Sequence, residues 1–187
     1  MNIPDPFPAD AVLEGRLLIA SPTLHGGSFD HSVVLLSRHS QADGALGLIL
    51  NHPTGKVVGD LLKEPLFHPL RNISVHKGGP VSENNLFFAA LWWEKNNGLC
   101  VIHQISAEEA IKHQKKPGRL VRAFVGYSGW SPGQLENELE NNSWIVTLPA
   151  PEFLGLSHDQ SLWAHTLRSM SPYHKILADA PRNPYAN

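Results

Sequence analysis

The sequence predicts an α+β fold: a single domain with a hairpin-rich, mainly antiparallel sheet and three or four flanking helices. Three observations predict it. Short apolar runs recur along the chain, separated by turns rich in Gly, Pro, Asn and Asp, which is the pattern of hairpin-joined strands. Helix signals fall between these runs without the strict strand–helix alternation of a doubly wound parallel sheet. The length, 187 residues, suits one hydrophobic core. Within it, residues 1–12 read as an extended lead-in with three prolines, 13–178 as the domain and 179–187 as a frayed tail.

The elements follow in order. Residues 15–20 (GRLLIA) form a short buried strand that ends at Ser21-Pro22. Residues 32–38 are a nearly continuous apolar strand, and 45–50 are its hairpin partner across Asp43-Gly44. Asn51-His52-Pro53 breaks that strand. A one-face pattern at Val57, Val58, Leu61 and Leu62 predicts a short helix. Residues 73–76 alternate as a strand and stop at Gly78-Gly79-Pro80. Residues 86–93 and 99–105 form a hairpin around Asn96-Asn97-Gly98. Ser106 and Glu109 make a capping box for a helix that runs to Lys116. Residues 119–127 form a long strand, and Ser128-Gly129-Trp130 reads as a turn. Ser131, Pro132 and Gln134 predict a second capped helix. Residues 143–148 are the last strand. Asp159 caps a final helix to Met170, which Pro172 ends. This gives seven or eight strands.

Composition excludes several classes of function. Net charge is −2 and only 17% of residues are charged, so there is no general attraction for nucleic acid or anionic membrane. The single cysteine, Cys100, excludes an internal disulfide and a multi-cysteine metal site, and points to the cytoplasm. No apolar run approaches the ~18 residues of a membrane span. No basic start and apolar core of a signal peptide opens the chain.

Each chemical candidate has a structural explanation beside it. Ser128 sits in Gly126-Tyr127-Ser128-Gly129, but a nucleophile elbow needs Gly two residues after the serine, where this chain has Trp130. It reads as a turn serine. The 11 histidines show neither His-Glu-x-x-His nor His-x-His spacing, so no metal site and no cofactor is expected. Cys100 lies in an apolar strand without a flanking cation and reads as a small hydrophobe. Lys77-Gly78-Gly79 and the segment from Gly129 to Gly133 could hold an anion on free backbone N–H groups, although neither matches a phosphate-loop fingerprint. The five tryptophans read as core, Trp130 alone standing in a turn where it could line a site.

Three segments carry a family resemblance. The first is Gly15-Arg16-Leu17-Leu18-Ile19-Ala20-Ser21-Pro22, continuing through Phe29 and residues 32–36 to Gly44-Ala45-Leu46-Gly47-Leu48-Ile49-Leu50-Asn51-His52-Pro53. The second is Gly78-Gly79-Pro80-Val81. The third runs from Arg122-Ala123-Phe124-Val125-Gly126-Tyr127-Ser128-Gly129-Trp130 through Ser131-Pro132-Gly133-Gln134-Leu135-Glu136, followed by Trp144. Together they resemble the YqgE/AlgH family of bacterial proteins over about residues 13 to 170. The resemblance implies one α+β domain with a barrel-like sheet. It brings no catalytic residues, since the members are mostly without an assigned function. One branch is labelled a transcriptional regulator through a link to alginate production, not through a DNA-reading motif. This chain departs from the pattern at His31 and His52, where many members have Arg. A role that needs a permanent cation there does not carry over, because histidine is mostly neutral at neutral pH. His25-Gly26-Gly27-Ser28 likewise replaces a more acidic loop.

The reading that follows is a non-enzymatic binding or regulatory module. Its expected ligand or partner site gathers Asn51, His52, Lys77, Gly78, Gly79, Arg122, Tyr127, Ser128, Gly129, Trp130 and Ser131 at strand ends. The expected partner is a small anion or a protein. Direct DNA binding is disfavoured and no membrane is involved. The rival readings are a hydrolase with His52 or His31 as base, and a regulator acting through DNA with steep salt dependence.

Overall fold

Nine strands form one curled sheet in the computed structural model, which describes residues 12–24 and 26–180. The expected lead-in to residue 11, His25 and the tail from 181 lie outside the described residues. In chain order the elements are β1 (Leu17–Ala20), β2 (Val33–Ser40), β3 (Gly44–Ile49), β4 (Pro53–Val57), α1 (Val58–Leu61), β5 (Ser74–Lys77), β6 (Val81–Glu94), β7 (Gly98–Ile105), α2 (Ala107–Gln114), β8 (Arg119–Trp130), α3 (Gln134–Glu140), β9 (Trp144–Thr147), α4 (Ser161–Met170) and α5 (Pro172–Asp179). Two 3-10 segments, Pro65–Leu70 and Pro151–Gly155, complete it.

The architecture is the α+β domain that the sequence predicts, and the sheet is a curled half-barrel. Strands β9, β1, β2 and β3 run antiparallel, and β3 then pairs with the end of β8. The first part of β8 lies between β6, antiparallel, and β5, parallel. The β5–β8 pair is the parallel exception in a mainly antiparallel sheet. The hairpins β2–β3 and β6–β7 form as expected, and Ser106 and Glu109 complete the expected box at α2.

Several boundaries differ from the sequence reading, each for a physical reason. Ser128-Gly129-Trp130 is not a turn: these residues extend β8 and pair with Gly47, Leu46 and Ala45. Ser131 is not the N-cap of α3. Gly133 holds that position, while the Ser131 N–H donates to the Gln134 side chain. Pro172 stands after the end of α4 and also opens α5, with the Ser171 hydroxyl accepting from the His174 N–H. Strand β4 has an exposed face and carries no apolar signal.

The concave side of the sheet is filled by Leu17, Ile19, Leu35, Leu48, Leu91 and Phe124, closed by Phe153 and by Leu162, Trp163 and Leu167 of α4. Each fully buried side chain of this kind contributes ~1.5–3 kcal/mol. On the convex side, α1 and α2 cover one half with Val58, Ala107 and Ala110, and Leu135 of α3 covers the other.

Candidate functional site

The three polar motifs meet where β3, β5 and β8 cross. The Lys77 N–H donates to the His52 carbonyl at 2.8 Å, and the Ile49 N–H donates to the Gly78 carbonyl at 2.9 Å. The Ser128 hydroxyl donates to that same Gly78 carbonyl at 3.0 Å. Backbone passes close to backbone here. A Cβ on Gly78 would lie 2.3 Å from the Gly126 carbonyl oxygen, and one on Gly79 would lie 2.3 Å from the Tyr127 carbonyl oxygen. These glycines are therefore fixed by the crossing of two chain segments, whatever else they contact. Asn51 is fully buried: its Oδ1 accepts from the Val33 N–H at 2.8 Å and its Nδ2 donates to the His31 carbonyl at 2.8 Å. The Lys77 ammonium pairs with Glu83 at 2.9 Å near the surface.

A second group lies at the rim. A cleft of about 420 Å³ is lined by Arg38, Asp43, Tyr127, Gly129, Trp130 and Ser131, among others. Trp130 is an anchor of the convex core. Its indole is buried, and both it and Trp144 donate to Glu138 Oε2, at 2.9 and 2.7 Å.

The third group lies on the concave face and is the least compensated. Arg122 faces inward from β8, two residues before the buried Phe124, whose partner on β5 is His76. Ala89 and His103 continue the Arg122 row across β6 and β7. His76 is only 3% exposed. Its Nε2 lies 3.0 Å from the His158 carbonyl, and His158 Nε2 lies 3.1 Å from the Phe153 carbonyl. A carbonyl only accepts, so both rings carry their proton on Nε2. Four buried side-chain atoms among the described residues have no hydrogen-bond partner: Arg122 Nε, His76 Nδ1, His103 Nδ1 and Ser32 Oγ. Three of them belong to this face.

Electrostatics agree with that geometry. Loss of water alone lowers the Arg122 pKa, with no carboxylate among the described residues pulling it back. His158 falls to about 4, chiefly by burial, with the Arg122 charge adding to the effect. Burial lowers His76 and His52 in the same way; Arg122 adds to the first and Lys77 to the second. Arg122 is thus the permanent cation acting on His76 and His158, while the Arg38 charge reaches His103, the other imidazole of this face.

Sequence reasoning named Arg122, set His158 aside as too loosely spaced from His165 for a metal site, and passed over His76 and His103. For those two the available signal was a histidine at an alternate position of an otherwise apolar strand. Neither Ser128 nor Ser32 has a histidine bonded to its hydroxyl. His31 instead bonds Asp30 and packs its ring 4.1 Å from that of Trp163. Among the described residues, no three His, Cys, Asp or Glu side chains gather as a metal site. The Cys100 thiol is pushed up by burial.

The sequence model described as AlgH-like matches residues 17–175. The chain belongs to the AlgH-like family. A UPF0301 protein of Cytophaga hutchinsonii is 34% identical over 183 residues, covering 93% of this chain and 98% of its own. One of Bacteroides fragilis is 32% identical over 180 residues, covering 92% and 90%. The solution structure of the AlgH protein from Pseudomonas aeruginosa superposes with a TM-score of 0.65 at 24% identity, over 97% of this chain and 99% of that one. A Corynebacterium diphtheriae crystal structure gives 0.69 at 20% identity, over 96% and 95%. These structural likenesses speak for the fold alone.

Proposed function

We propose that this AlgH-like chain is a non-enzymatic binding module. It captures an anionic group, of a small molecule or a partner protein, on the concave face of its half-barrel, with Arg122 as the cation. The observation that carries the reading is a half-buried Arg122 whose Nε–H is buried without an acceptor and whose charge no carboxylate of the described residues compensates. A buried charge without a partner costs several kcal/mol, and an incoming anion removes that cost. Arg122 keeps some solvent exposure, which leaves a way in. The serine hydroxyls support binding over catalysis, since neither Ser128 nor Ser32 is activated by a base.

The test is thermal denaturation of the whole chain in chloride buffer at constant ionic strength, with acetate, glycolate, phosphate or sulfate added. At least one oxyanion is expected to raise the melting temperature saturably, and Arg122→Met to remove the rise. No rise with any of the four would refute the proposal.

A further inference from the structure

The orphan atoms on the concave face differ in kind, and that difference specifies the ligand. Arg122 Nε–H is a donor without an acceptor. His76 Nδ1 is the reverse. Its ring proton sits on Nε2, committed to the His158 carbonyl at 3.0 Å, so Nδ1 presents a bare lone pair. The nearby Ser74 carbonyl acts on the His76 ring but lies outside hydrogen-bond geometry, and it could not donate in any case. The two groups are diagonal neighbours across the parallel pair, since His76 pairs with Phe124 and Arg122 stands two residues before it on the same face. With strands ~4.8 Å apart and two residues rising ~6.6 Å, the diagonal positions lie ~8 Å apart, within reach of long side chains and bridgeable by one small ligand.

Charge counting narrows the class. Arg122 contributes one positive charge. The groups around His76 are Arg122, His158 and His52, and Asp159 acts on His158 from the surface. The Asp159 carboxylate is already taken by Ser161. Between Arg122 and His76 the site thus balances one negative charge and offers one acceptor; His103 Nδ1, with the Arg38 charge acting on its ring, stands two strands away from Arg122, ~9–10 Å across the sheet.

We propose that the ligand held at Arg122 is a singly charged oxyanion that also bears an O–H donor, the charge meeting the Arg122 guanidinium and the hydroxyl meeting His76 Nδ1. This rests on the binding reading above. A phosphate monoanion and an α-hydroxycarboxylate share this chemistry. Sulfate and a simple carboxylate of similar shape lack the donor, and sulfate carries one charge too many.

The experiment compares matched pairs on the full chain at about pH 6, where phosphate is largely a monoanion. Dihydrogen phosphate is set against sulfate, and glycolate against acetate, by thermal shift and calorimetry. The donor-bearing member of at least one pair is expected to bind about tenfold tighter, the worth of a hydrogen bond to a buried acceptor. Which pair shows it separates the phosphate source from the hydroxy-acid source. Arg122→Met is expected to abolish both. The His76→Phe variant could lose stability with its bond to His158, so the second readout is the ¹⁵Nδ1 resonance of His76 in the wild-type chain. It is expected to move upfield, towards a hydrogen-bonded acceptor, with the donor-bearing ligand alone. If both members of each pair bind alike and depend on Arg122, the donor inference falls and the binding reading stands. If none binds, both fall.

Discussion

Replacing Arg122 by methionine is predicted to stabilise the free protein. Methionine follows the arginine stem as far as the Nε position and carries no charge, and the site asks for neither a donor nor a cation to hold the fold together: Arg122 Nε has no acceptor and no carboxylate of the described residues acts on it. Replacing buried ionic groups by apolar ones of similar volume gains up to ~1–4 kcal/mol, even where a partner charge must be removed as well. Arg122 keeps part of its hydration, so the lower part of that range, ~1–2 kcal/mol, is expected. For a chain of this length each kcal/mol moves the melting temperature by ~2–4 °C, giving a rise of ~2–8 °C. The assay is urea denaturation followed by circular dichroism, with both proteins desalted into Tris chloride free of oxyanions. Adding the bound anion should then narrow or reverse the difference, because the wild type alone gains from it. A loss of more than ~1 kcal/mol in Arg122→Met, rescued by Arg122→Lys, would mean that the cation has a structural partner within the chain and would refute the reasoning.

Four further predictions concern the scaffold around that face. Asn51→Leu strands the Val33 N–H and the His31 carbonyl in the core and should cost ~2–5 kcal/mol, measured by the same urea titration. Gly78→Ala puts a methyl against the Gly126 carbonyl and should cost at least ~1–3 kcal/mol; Ser128→Ala leaves Gly78 its bond from Ile49 and should cost only ~0.5–1.5 kcal/mol. Acidification should destabilise the fold through His158, whose pKa falls from 6.5 to about 4 on folding. The unfolded chain takes up that proton first, so stability is full above the unfolded value and declines through the window down to about 4, by ~3 kcal/mol at most. The same burial of His76 and His52 adds in the same direction. Urea midpoints taken across that window check the sign, and a midpoint that rose on acidification would contradict it.

The local features were legible in the sequence because their causes are local. Asn96-Asn97-Gly98 joins two apolar runs, and β6 and β7 pair across it. Ser106 and Glu109 lie one helical turn apart and cap α2. What was not legible depends on distant partners. Nothing near residues 74–77 says that they run parallel to β8. Ser128-Gly129-Trp130 carries turn residues and is held straight by β3. The candidate site divides the same way. Asn51, Lys77, Gly78 and Ser128 do converge, but their polar groups are largely spent on one another's backbone or on Glu83. His76 alternates with Val75, so period two assigns it to the polar face of its strand. That face is buried because the sheet is covered on both sides, a fact set by the curl and not by any short motif.

Whether Arg122 holds an anion is read most directly from its ¹⁵Nε–H resonance, assigned by its loss in Arg122→Met, during titration of the whole chain with phosphate and glycolate. A saturable downfield shift of that one arginine resonance is expected as its orphan donor finds an acceptor. An Arg122 resonance that stays in place while either anion saturates would contradict it.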